Sequence, residues 1–83
     1  DIRALLNPIL DKNASDEVID AAAKKIDLVL EGNKAAAASV GALASRMVQG
    51  NLEAYGTKRS QYHLFKWSRL YGAKPAESTE TGN

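Results

Sequence analysis

Four cations and two rings crowd the last helical stretch of the sequence: Lys58, Arg59, Lys66 and Arg69, with Tyr62 and Phe65. Residues of these types serve nucleic-acid binding. Basic side chains neutralise phosphates, and rings stack on bases or fill the edge of a groove. The wider segment YGTKRSQYHLFKWSRLY, residues 55–71, holds all five aromatic residues and no acid. Residues 1–53 carry eight acids and six bases, whereas residues 54–75 carry five bases and no acid. The formal net charge of +1 therefore hides a positive C-terminal third. That asymmetry favours nucleic acid or another acidic partner.

Two bland readings compete. In the first, Tyr62 and Phe65 cover a neighbouring helix and the four cations are simply solvated, because a small helical domain needs aromatics to close its core. In the second, the helix lies on an anionic membrane with Trp67 and Leu64 inserted. The bundle needs that same apolar face, which weakens the membrane reading.

No other residues assemble chemistry. His63 is the only histidine, and without cysteine or a partner acid in sequence it reads as a hydrogen-bonded core or boundary residue. Asp16, Asp20 and Asp27 fall on the face of their helix that also carries Lys24, so they read as solvated residues in intrahelical pairs. The glycines punctuate helices and form no phosphate loop. No catalytic residue, metal or cofactor is expected. Nor do residues 39–67 carry a helix-turn-helix, because the turn glycine and the apolar position of a recognition helix miss that motif's usual offsets.

The elements that must position the basic helix are themselves helical. Eighty-three residues make one domain, here residues 1–75, and no cysteine is available to staple it. No run approaches the roughly 18–20 apolar residues of a membrane span. The chain opens at Asp1 rather than Met, as a processed product or a domain cut from a longer chain would.

In residues 2–10, Ile2, Leu5, Leu6, Ile9 and Leu10 share one face, and Pro8 predicts a kink or a two-piece helix. Ser15 caps a helix over 16–31 whose apolar face is Val18, Ile19, Ala22, Ala23, Ile26, Val29 and Leu30. Gly32 should end it in a left-handed cap. Asn33 caps a third helix that continues past Gly50 to Tyr55, since its apolar stripe survives the glycine. Gly41, Ala42, Ala44 and Ser45 on that helix allow a close approach.

Thr57 caps the last helix, 58–71, which ends at Gly72. Its core arc is Ser60, His63, Leu64, Trp67, Leu70 and Tyr71. The polar residues 76–83 have nothing to bury and read as a disordered tail. The expected fold is all-α, a compact bundle of three to four helices. The expected function is non-enzymatic binding through Lys58, Arg59, Tyr62, Phe65, Lys66 and Arg69. The alternative is an assembly subunit in which the small-residue third helix and the aromatic last helix form homo-oligomeric or protein–protein contacts.

Overall fold

The computed structural model of the chain describes residues 2–72. The end of the expected domain at residue 75 and the expected tail at 76–83 lie outside the described residues. Four helices form a compact all-α globule: α1 (Ile2–Leu10), α2 (Asp16–Gly32), α3 (Lys34–Gln49) and α4 (Lys58–Tyr71), with a 3₁₀ turn at Leu52–Ala54 between the last two. The core is one cluster drawn from all four helices, with Ile9, Ile19, Ile26, Val40, Leu64 and Trp67 at its centre. The helix α4 packs most extensively against α3, and α2 touches the other three.

Caps start the helices where the sequence places them. The Ser15 hydroxyl accepts from Val18 N at 3.2 Å, and Asn33 Oδ1 accepts from Ala36 N at 3.1 Å. At α4, Thr57 Oγ1 accepts from Ser60 N at 3.3 Å, while Thr57 N donates to Ser60 Oγ at 3.2 Å. This reciprocal box satisfies two backbone donors that a helix start would leave unpaired. Just before it, Gly56 adopts φ +64, and a Cβ there would run into the carbonyl of Ile9. Only glycine fits both the conformation and the contact.

Several expectations are corrected. Of the two alternatives at Pro8, the two-piece helix does not hold: the first helix runs as one element across Ile2–Leu10 with Pro8 inside it. The bond forfeited is the one to the Ala4 carbonyl, and an interior proline costs about 3 kcal/mol. Burying Leu6 and Ile9, at about 1.5–3 kcal/mol each, offsets that cost. Gly32 is not a left-handed cap. It is the last residue of α2, and extended Asn33 (φ −145) serves both as C-cap of α2 and N-cap of α3. One extended residue with a side-chain acceptor turns the chain, so no positive φ is needed.

The third helix does not reach Tyr55. It stops at Gln49, and the Gly50 N–H closes onto the Arg46 carbonyl at 2.9 Å. The break lets Leu52 turn back toward the core and leaves Ala54 and Tyr55 exposed. Val18 is also half exposed rather than core. It lines an open apolar groove of about 310 Å³ with Leu5, Pro8 and Ala22.

The small residues of α3 do allow a close approach, and the partner is α4 of the same chain. Gly41 is buried, and a Cβ on it would collide with the backbone of Tyr71 and Gly72. Backbone cannot yield as a flexible side chain can. Gly41→Ala should therefore destabilise the fold by about 1–3 kcal/mol in urea denaturation. Gly32→Ala meets nothing within 4 Å and should stabilise it by about 0.4–1 kcal/mol in the same assay.

Candidate nucleic-acid interface on α4

The position of α4 is set by polar atoms that the core cannot leave unpaired. Trp67 is fully buried, and its indole N–H donates to Asp27 Oδ1 at 2.8 Å. His63 is buried one turn earlier, with Nε2 at 2.9 Å from Asp20 Oδ1. A carboxylate only accepts, so Nε2 carries the proton of that bond. Nδ1 is buried without a partner among the described residues. The His63 ring stacks on Trp67 at 5.9 Å and meets Tyr62 edge-on at 5.2 Å.

The same two carboxylates take a cation each. Arg59 grips Asp20 with both prongs, Nε to Oδ1 at 2.8 Å and Nη2 to Oδ2 at 2.7 Å. Lys66 Nζ lies 3.4 Å from Asp27 Oδ2. Asp20 and Asp27 are seven residues apart, as are Arg59 and Lys66, so two matched clasps run along parallel α2 and α4. This corrects the reading of Asp20 and Asp27 as solvated residues in intrahelical pairs. They face α4, because the N–H groups of His63 and Trp67 need acceptors at the edge of the core. Asp16, further along, lines a shallow hollow with Thr57, Lys58, Arg59 and Tyr62.

The six expected binding residues therefore separate into two sets. Arg59 and Lys66 sit on the flank facing α2 and are neutralised there. Lys58, Tyr62, Phe65 and Arg69 lie at offsets of four, three and four along α4. At 100° per residue they fall within about 60° of one another, opposite the buried Ser60, Leu64 and Trp67. Lys58 and Arg69 make no ion pair among the described residues.

Tyr62 is 59% exposed and Phe65 44%, so both rings keep a large part of their area in solvent. The Arg59 guanidinium carbon lies 6.0 Å from the centroid of Tyr62, and that of Arg69 lies 5.7 Å from Phe65. Arg69 in the last turn suits the helix dipole, but Lys58 in the first turn opposes it.

Two further expectations change. Leu70, at the margin of the expected core arc, is 61% exposed. Leu64 and Trp67, the residues a membrane-surface helix would insert, are buried. No helix among the described residues is long and apolar enough to cross a membrane, and none of their acid and histidine clusters could hold a metal ion. No protein-family model, curated protein or solved structure matches the chain.

The partners of Asp20 and Asp27 escaped the sequence reading, although one signal was present. Two acids and two bases each recur at a spacing of seven, the mark of two helices packed in register.

Asp27→Ala would leave the Trp67 N–H buried without an acceptor, at a cost of about 1–3 kcal/mol measured by denaturation. The Asp20 clasp should appear in the acid limb. Arg59, then His63, hold the Asp20 carboxyl well below the usual carboxylate range. Its contribution is complete above the unfolded value of about 3.9 and is lost as pH falls below it. With 40% of the Asp20 side chain exposed, screening keeps that contribution modest. Asp20→Asn should therefore lower Tm at neutral pH and show a shallower further fall on acidification than the wild type. Equal acid slopes would contradict the assignment.

Proposed function

We propose that the chain is a non-enzymatic binding domain that contacts nucleic acid through the exposed stripe of α4. The observation that carries this reading is the order cation, ring, ring, cation in Lys58, Tyr62, Phe65 and Arg69, opposite the core and free of ion pairs among the described residues. Rings left largely in solvent gain little from packing, and a lysine in the first turn of a helix opposes its dipole. Both features gain a purpose against an anionic partner with planar groups. Arg59 and Lys66 then flank the contact as neutralised residues. The Asp20–His63 pair serves α4 docking, which supports a non-enzymatic reading.

The assembly alternative would have to use the outer face of α3, where Ala35, Ala38, Ser39 and Ala42 are exposed, rather than its buried small residues. Gly41 and Ala44 of α3 are buried against the rest of the chain, so Ala44→Leu would disturb the core rather than an intermolecular contact. The rings of α4 remain open to a protein partner. That alternative predicts association that depends on concentration and ignores salt.

With Lys58 and Arg69 as the two phosphate contacts, log K against log salt should fall with a slope of about −1.4 on single strands or about −1.8 on duplex. Lys58→Glu with Arg69→Glu should abolish binding to labelled DNA in fluorescence anisotropy and leave the helical circular dichroism unchanged. Unchanged affinity in that double variant would overturn the proposal.

A further inference from the structure

We infer that the stripe takes unpaired nucleic acid, stacking two successive bases on Tyr62 and Phe65 while Lys58 and Arg69 hold the phosphates on either side. This rests on the nucleic-acid reading above and names the form of its ligand.

The argument starts from what each form of nucleic acid can offer a ring. In a duplex the π faces of the bases are covered by their neighbours, and only edges and phosphates are open. A single strand can turn its bases outward onto aromatic side chains. Tyr62 and Phe65 stand on a convex helix surface, with 59% and 44% of their area in solvent. Each has an arginine near one face, Arg59 at 6.0 Å and Arg69 at 5.7 Å, so a base on the other face would complete a three-layer stack.

Spacing separates the two forms further. Three residues of helix set the backbone positions of Tyr62 and Phe65 about 4.5 Å apart along the axis. Stacked bases are about 3.4 Å apart along a strand. A flexible unpaired strand meets that spacing by local adjustment, whereas bases stacked within a duplex keep their faces against one another.

Charge gives the same answer. Lys58 precedes Tyr62 by four residues and Arg69 follows Phe65 by four, about 6 Å of helix on each side. The Asp20 and Asp27 clasps neutralise the flanking Arg59 and Lys66, so the positive surface is a narrow line rather than a broad patch. A line of two cations follows one backbone and offers little to the second strand of a duplex. The stripe carries one hydrogen-bonding group at its rings, the Tyr62 hydroxyl, so stacking without base-edge readout implies little sequence preference.

The test compares four labelled probes of equal length with the full chain: unpaired thymidine and uridine oligomers, an abasic deoxyribose-phosphate oligomer, and a duplex. At least one unpaired oligomer should bind roughly tenfold or more tightly than the abasic strand. The tighter of the two identifies the natural strand. Phe65→Ala and Tyr62→Ala should each weaken that complex roughly tenfold and leave abasic binding unchanged. Both side chains are exposed, so neither variant should unfold the domain.

Equal binding of abasic and base-bearing strands would overturn base stacking while leaving the phosphate contact of the proposed function intact. Duplex binding as tight as single-strand binding would also overturn it. Binding to none of the four probes at low salt would overturn both readings.

Discussion

Two aspartates seven residues apart hold this fold in register. Asp20 and Asp27 of α2 each accept one ring N–H and one cation from α4: His63 with Arg59, and Trp67 with Lys66. The ring bonds are the demanding ones. A buried N–H without an acceptor costs about 1–3 kcal/mol, a large share of the total stability of a domain this size. The indole of Trp67 fills the centre of the core, so its N–H must surface where α2 offers a carboxylate. Once that bond is made, the rotation of α4 about its axis is set. Ser60 and Leu64 turn inward, and Lys58, Tyr62, Phe65 and Arg69 turn to solvent.

Electrostatics follows from that rotation. Four cations on one helix suggest a broad positive face, but the clasps divide them. The Arg59–Asp20 pair is largely solvated, so it contributes little net stability by itself. Its larger effect is to cancel charge on the flank facing α2. The remaining free cations lie at the two ends of a line with the rings between them. The exposed stripe therefore carries two unpaired cations rather than four among the described residues.

The close contact of α3 with α4 supplies the other half of the arrangement. Gly41 lets the backbone at Tyr71 and Gly72 approach without a side chain between them. The break at Gly50 and the 3₁₀ turn at Leu52–Ala54 bring the chain back, so that α4 can lie against α3. Local apolar periodicity ran through Gly50, yet burial of Leu52 and docking of α4 outweighed it.

The sequence by itself determined the all-α class, three of the helix starts, most of the core and the basic aromatic character of α4. Those features depend on short-range chemistry. Ser15, Asn33 and Thr57 cap through backbone groups three residues away, and apolar spacing names the inward face of one helix at a time. Only the tertiary structure decided that Asp20 and Asp27 face α4, that Arg59 and Lys66 are neutralised, that Leu70 is exposed and that α3 ends at Gln49. A helical wheel gives the direction of a side chain about its own axis. It does not give the position of the neighbouring axis, and a charge at the margin of an apolar face can meet water or a buried N–H with equal local pattern. The burial of Trp67 settles that choice, through contacts about forty residues apart in the chain.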